Sequence, residues 1–316
     1  MEKKKISVMI PTFNEEENAL PIYQAVLGQL QTHLPEYDYE ILFIDNKSQD
    51  RTREIISKIC EQDKHVKAIF NAKNFGQFNS PYYGLIHTTG DCAVSLAADF
   101  QDPVELIPEL VHKWEEGYKI VCAIKTKSKE SPILYFIRSC YYKFMHSMSS
   151  IKMIEHFTGF GLYDRSFLDV LRDLDDPIPF YRGLVSEFGS DITMVEYEQA
   201  KRRAGKTHNN LITLYDAAML SITSYTKVAL RLPTVLGAAI AGGTFLAAII
   251  YLIAYLSSHF AVGYGPIIML ILFFSGLNLF FIGMIGEYIL GINERIKKRP
   301  LVVEEKRINF EDDEAT

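Results

Sequence analysis

The sequence contains no Gly-x-Gly-x-x-Gly run and no His-Glu-x-x-His, which demotes a dehydrogenase and a zinc hydrolase. A P-loop is also missing: Gly205-Lys206-Thr207 imitates its end, but Ala200 stands where its first glycine is required and no strand precedes it. Cys60, Cys92, Cys122 and Cys140 fall in no CxxC spacing, so they support no metal site and fit reduced, buried thiols. A net charge of −6 argues against a general nucleic-acid binder. The apolar stretch at residues 6–11 is too short for a signal peptide.

Charge is missing most sharply near the C-terminus, where residues 234–256 and 267–286 contain no Asp, Glu, Lys or Arg. Each run can cross a bilayer core, which takes about 20 residues of helix, and only ten residues, 257–266, separate them. A hairpin of two transmembrane helices is the expectation. Lys227 and Arg231 precede the first run and Arg295, Lys297, Lys298 and Arg299 follow the second, while the connecting loop has neither Lys nor Arg. The positive-inside rule then puts both ends in the cytoplasm, as a multi-pass protein of the inner or plasma membrane.

The expected organisation is a cytoplasmic domain over 1–230 with juxtamembrane amphipathic helices, a membrane part over 231–292, and a cytoplasmic tail over 293–316. Residues 304–316 carry much acidic charge and are expected to be a solvated, frayed end. Residues 131–148 carry a helical apolar stripe through Leu134, Ile137, Tyr141, Phe144, Met145 and Met148. It suits a core-facing helix, with an interfacial helix as the competitor.

In the first domain, apolar runs rich in β-formers predict strands at 6–11, 40–45, 66–71, 92–97 and 119–124. Amphipathic stretches predict helices at 16–33, 50–62, 80–87 and 103–116. This βαβα rhythm implies an α/β fold with a mostly parallel sheet covered on both faces, in which ligands bind beyond the carboxyl ends of the strands. Three of those ends carry polar groups: Thr12-Phe13-Asn14-Glu15, Asp45-Asn46-Lys47-Ser48 and Asp99-Phe100-Gln101-Asp102. Each alone is an ordinary turn or cap; their joint placement on one edge is the signal. A carboxylate there can accept from a ribose or base, and an Asp beside another oxygen ligand can hold Mg²⁺ or Mn²⁺ against a diphosphate. Lys201, Arg202, Arg203 and Lys206 gather cations where a phosphorylated ligand or anionic lipid head groups would lie.

Together these segments resemble the polyprenyl-phosphate glycosyltransferases of glycosyltransferase family 2, which include dolichyl-phosphate mannose synthases and bacterial membrane glucosyltransferases. The resemblance rests on Val8-Met-Ile-Pro-Thr-Phe-Asn-Glu-Glu-Glu-Asn18, Phe43-Ile-Asp-Asn-Lys-Ser-Gln-Asp-Arg-Thr52, Lys73-Asn-Phe-Gly76 and Ala97-Ala-Asp-Phe-Gln-Asp-Pro103. Arg203-Ala-Gly-Lys206, Gly286-Glu-Tyr288 and Lys298-Arg-Pro300 extend it over nearly the whole chain.

The resemblance implies a type A glycosyltransferase fold and inverting transfer of a sugar from a nucleotide-diphosphate sugar, a UDP-sugar at the family level, to a membrane polyprenyl phosphate. The lipid-linked sugar would serve surface glycan modification. Pro11, Asn14, Glu15 and Asp45 would line the nucleotide pocket, and Asp99 with Gln101 would hold Mg²⁺ or Mn²⁺. Asp99, Asp102, Arg203 and Lys206 would carry the chemistry. The partners implied are the nucleotide sugar, polyprenyl phosphate and the bilayer, with a homo-oligomer left open.

The chain departs from the family's pattern in three places. Ala97 stands where the first acid of an Asp-x-Asp is usual, Asn46 replaces a frequent second Asp, and 158–164 read Thr-Gly-Phe-Gly-Leu-Tyr-Asp instead of holding the usual Gly-Asp-Phe-Arg. The last change removes a carboxylate often suggested as catalytic base. A catalytically impaired nucleotide-binding homologue with a regulatory or scaffolding role is therefore the alternative. A processive polysaccharide synthase is disfavoured: the only tryptophan is Trp114, so no Gln-x-x-Arg-Trp exists. His156 and His208 suit structural roles better than catalytic ones.

Overall fold

A computed structural model describes residues 3–127, 153–174, 176, 179–200, 202–203, 219–220, 264–297 and 299–310, and scattered positions between 236 and 253. Two compact units emerge. The first spans 1–142, 151–210 and 298–316, and the second 143–150 and 211–297.

The first unit is built on β1 (Lys5–Thr12), α1 (Ala19–His33), β2 (Asp38–Asp45), α2 (Thr52–Gln62), β3 (Val66–Asn71), α3 (Gly76–Ile86) and β4 (Cys92–Ser95). A short 3₁₀ turn leads into α4 (Ile107–Glu115), then β5 (Ile120–Lys127), β6 (Phe157–Asp164), α5 (Arg165–Leu174), α6 (Tyr181–Phe188) and β7 (Ile192–Glu198). After the second unit comes β8 (Glu304–Ile308). The eight strands form one sheet ordered β7-β5-β6-β4-β1-β2-β3-β8.

The α/β class and the mostly parallel sheet expected from the sequence are present. β1 pairs in parallel with β2 and β4, β2 with β3, and β5 with β7. Antiparallel pairings join β6 to β4 and β5, and β8 to β3. The central strands are continuous apolar runs because helices cover both faces: Ile6, Val8 and Ile10 face α1, α2 and α4, whereas Met9, Leu42 and Ile44 pack with Tyr82, Leu85 and Leu168. Burying such side chains contributes about 1.5–3 kcal/mol each.

The expected bounds shift locally. The first helix begins at Ala19 rather than 16, since Asn14 and Glu15 are spent on loop contacts, and α3 begins at Gly76 rather than 80, running through Pro81. The frayed-end expectation fails for the start of the tail: Glu304–Ile308 is an edge strand, and Val302 is buried. Its charges hid it, because edge strands carry charge to block further pairing. The Asn309 amide donates to the carbonyls of Cys60 (2.7 Å) and Val66 (2.8 Å), fixing the strand's end to the α2–β3 connection. Cys60, Cys92 and Cys122 are buried free thiols, as expected; Cys140 lies outside the described residues.

In the second unit, α7 (Tyr264–Ile296) is a single helix of 33 residues, about 50 Å long at 1.5 Å per residue. Its segment Phe273–Asn293 is long and apolar enough to cross a membrane, and Phe273, Leu279, Phe280 and Ile282 are exposed on it. Among the described residues it is the one such helix. The run at 234–256 falls largely, and the stripe at 131–148 entirely, outside the described residues, so the two-helix hairpin is not established.

Candidate functional site

Pro11 opens the crevice in which the site lies. β1 sits between β2 and β4, and its ladder with β4 ends at Met9 opposite Ser95, with one further bond from the Leu96 N–H to the Met9 carbonyl (3.0 Å). Pro11 has no N–H to continue it. β4 diverges there, while β1 stays paired with β2 through Thr12 opposite Asp45. Beyond the strand ends lies a cavity of about 220 Å³, whose lining includes Pro11, Gln77, Ala97, Asp102, Thr158 and Tyr181. This is the reversal point of strand order, where open α/β sheets bind ligands.

The loops after β1, β2 and β4 each contain one left-handed non-glycine residue: Asn14 (φ 55°), Lys47 (φ 68°) and Phe100 (φ 60°). Such backbone persists only when neighbours hold it. The first two loops hold each other. The Asn14 N–H donates to the Ser48 hydroxyl (2.9 Å), the Gln49 N–H to Asn14 Oδ1 (2.8 Å), and the Glu15 N–H to the Thr52 hydroxyl (2.8 Å).

Asp45 is fully buried, and both its oxygens already accept protein donors. Oδ1 takes the Ser48 N–H (3.1 Å) and Arg53 Nε (2.8 Å), and Oδ2 takes the Ser48 hydroxyl. In this arrangement it shapes the loop wall.

Asn46 explains its own departure from the family's pattern. Its amide donates to Asn74 Oδ1 (2.9 Å) and the Gly76 carbonyl (3.1 Å), while its oxygen accepts from the Phe75 N–H (2.8 Å) and Asn71 (3.2 Å). An aspartate could make only the second pair of bonds.

The loop after β4 is braced by its own carboxylates. Asp99 accepts the Gln101 N–H (3.1 Å), and Asp102 accepts the Ala97 N–H (3.3 Å) and the Tyr197 hydroxyl (2.9 Å). Burial pushes Asp102 up to about 6 despite these bonds. Ala97 presents a methyl group to the cavity where the family's pattern has an acid.

Arg202 ties this loop to the first. Its guanidinium donates to Glu15 Oε1 and lies 3.7 Å from Asp99 Oδ2. Burial pushes Glu15 above the usual carboxylate range, opposed by its bond from Asn18 and by Arg202. Of the basic pair expected from sequence, Arg203 binds instead through its backbone, N–H to the Asp99 carbonyl (3.1 Å), with its side chain over Phe100 at 5.0 Å. Lys206 lies outside the described residues. The sequence marked the cluster but not which member faces the carboxylates, because that depends on how the chain leaves β7.

Among the described residues no group of three or more His, Cys, Asp or Glu side chains could hold a metal. Asp99 and Gln101 supply one carboxylate and one amide oxygen. That set fits Mg²⁺ or Mn²⁺ when diphosphate oxygens and water complete the shell.

Residues 7–172 match the model of glycosyl transferase family 2. A prophage bactoprenol glucosyl transferase homolog of Escherichia coli K12 is 33% identical over 298 residues, 94% of this chain and 97% of that protein. The bactoprenol glucosyl transferase of Shigella phage SfV is 34% identical, covering 94% and 96%. The uncharacterized glycosyltransferase YkcC of Bacillus subtilis 168 is 34% identical, covering 96% and 94%. A crystal structure of a mycobacterial protein shares the fold at a TM-score of 0.50 and 16% identity, covering 70% of this chain and 73% of that one.

Proposed function

The chain belongs to glycosyl transferase family 2 and is a glycosyltransferase, and on that premise we propose that it moves a sugar from a UDP-sugar to a polyprenyl phosphate at the cytoplasmic membrane face. The observation that carries this reading is Arg202 bridging Glu15 and Asp99 beside the opened β1–β4 crevice. There, cationic and carboxylate groups from different strand ends converge where a nucleotide diphosphate would span them. The relatives named for bactoprenol glucosyl transfer support the lipid acceptor, and glucose is the sugar they favour.

In the proposed reaction the acceptor phosphate oxygen attacks the anomeric carbon from the face opposite the leaving group. The C–O bond to the nucleotide diphosphate breaks with its electron pair, and configuration inverts. A phosphate monoester is already ionised near neutral pH, its second pKa lying near 6, so its oxygen needs no protein base. The missing carboxylate at 158–164 is then no obstacle. The protein's task is to position both substrates and to meet the charge that grows on the diphosphate.

Asn14 and Glu15 with Pro11 and Asp45 form the walls of the nucleotide end. Arg202 supplies positive charge to the diphosphate, with Arg203 and Lys206 as the further cations of that cluster. Asp99 and Gln101 would hold Mg²⁺ or Mn²⁺, which when bound neutralises diphosphate oxygens. Asp102 holds the loop through Ala97 and Tyr197, and the cavity beside Ala97 takes the sugar. A membrane hairpin, with α7 as its second span, would tether the enzyme to the membrane that carries the acceptor.

The test is transfer by detergent-solubilised protein supplied with polyprenyl phosphate, a panel of labelled nucleotide sugars and Mg²⁺ or Mn²⁺. Label should enter the lipid from a UDP-sugar. No lipid-linked label from any donor sinks the proposal.

A further inference from the structure

The strand that follows α7 forms one edge of the sheet. β8 pairs antiparallel with β3, Ala68 opposite Ile308 and Phe70 opposite Lys306, and the Ala72 N–H donates to the Val303 carbonyl (2.9 Å). This sets Glu305 beside the carboxyl ends of β2 and β3. Glu305 Oε2 accepts from Lys47 Nζ at 2.6 Å and from Arg53 Nη1 at 3.1 Å.

Those two cations follow Asp45 in the chain, two and eight residues on. Lys47 is the left-handed residue of the loop after β2, and Arg53 lies in the first turn of α2. The other nitrogens of Arg53 are also committed: Nε to Asp45 Oδ1 (2.8 Å) and Nη2 to the Asn71 carbonyl (2.9 Å). Its guanidinium lies 5.0 Å over the Phe70 ring. One planar fork thus links the ends of β2, β3 and β8, a geometry that a guanidinium fits and an ammonium does not.

We propose that Glu305 is a positioning residue for the donor nucleotide: by fixing Arg53 and Lys47 it holds the Asp45 loop in its binding conformation, making β8 part of the donor site. This rests on the reading of that loop as the nucleotide end. It also gives the tail after α7 a role other than anchorage, since the segment leaving that helix reaches the donor loop within ten residues, from Ile296 to Glu305.

The experiment uses the full-length protein in detergent. UDP binding is measured by calorimetry, with ADP, GDP and TDP in parallel, and donor KM and kcat come from the transfer assay. Because Glu305 and Lys47 are each nearly half exposed, Glu305→Ala should weaken nucleotide binding and raise donor KM by about 3- to 5-fold, with kcat within about 2-fold. Acceptor KM should not move. Glu305→Asp should recover part of the affinity, and Lys306→Ala, on the neighbouring position of the strand, should bind like the wild type.

Wild-type affinity in Glu305→Ala overturns the proposal. So does a loss that Glu305→Asp fails to recover and that accompanies an equal fall in kcat, since that marks general loosening of the fold. If the wild type itself binds none of the four nucleotides, the donor-loop reading fails and the proposal falls with it. That result is distinct from a wild type and a variant that bind alike.

Discussion

The loops after β1 and β2 differ from the loop after β4 in how their polar groups are spent. In the first two, backbone and side-chain groups satisfy one another across the strand gap, with Asn14 bonded to Ser48 and Gln49, Glu15 to Thr52, and Asp45 closed off by Ser48 and Arg53. The third is held by Tyr197 on Asp102 and by the Arg203 N–H on the Asp99 carbonyl, but Asp99 Oδ2 has Arg202 no nearer than 3.7 Å. One side is preorganised by the protein. The other keeps a carboxylate that a cation can still claim. A site that must hold a nucleotide firmly yet answer to charge developing on a diphosphate benefits from that division.

Removing that carboxylate tests the division most severely. Asp99→Asn keeps an acceptor for the Gln101 N–H but removes the charge, so transfer should fall by about 100- to 1,000-fold while UDP binding without metal changes little. Scintillation counting of lipid-linked label against Mn²⁺ concentration checks it. Undiminished transfer would mean that the loop after β4 is not the reactive side.

Arg202→Ala strikes the join between the two regions. It removes a charge-assisted bond to Glu15, so kcat/KM for the donor should drop by about 10- to 100-fold, carried partly by KM. Arg203→Ala should cost less, because Arg203 reaches Asp99 through its backbone. Equal losses from the two variants would erase the distinction drawn between them.

Asn46→Asp probes the preorganised side through stability. A carboxylate would lose the two bonds to Asn74 Oδ1 and the Gly76 carbonyl and set its charge against both oxygens, although Asn74 Oδ1 keeps the Gly76 N–H, so the cost should be about 3 kcal/mol. For a domain of this size that lowers Tm by about 6–12 °C. A neutral Asn46→Asp, followed by thermal unfolding, would show that the loop is held by other means.

These contrasts also mark what the sequence can and cannot disclose. The strands to residue 97 and their polar ends are legible because buried parallel strands are short runs of β-formers broken by Asn, Asp and Gly. β6 reads in the sequence as an altered motif and not as a strand. Its Gly161 is a packing requirement, since a Cβ there would lie 2.4 Å from the Val121 carbonyl oxygen. β8 hides behind edge charges, and Glu305's partners, Lys47 and Arg53, are more than 250 residues away. Arg202 is visible as one of several cations; only the bond of Arg203 to the Asp99 backbone settles which side chain turns inward.

The smallest predicted effect concerns Asp102, which belongs to the loop after β4 and is buried. Its carboxyl is raised from 3.8 to about 6, chiefly by desolvation. The folded state therefore holds this proton more tightly than the unfolded chain does. Below about pH 4 both states are protonated and Asp102 costs nothing; between about 4 and 6 its contribution falls as pH rises, and above about 6 the whole penalty is present. Between pH 4 and 6.5 that penalty amounts to about 2 kcal/mol, an upper figure for a group that also accepts two hydrogen bonds. Asp102→Asn cannot titrate, so the wild type should gain Tm on the variant as the pH is lowered from 6.5 to 4, by about 4–8 °C. Parallel Tm curves for the two proteins across that window would place the Asp102 charge in water and remove it from the cavity wall.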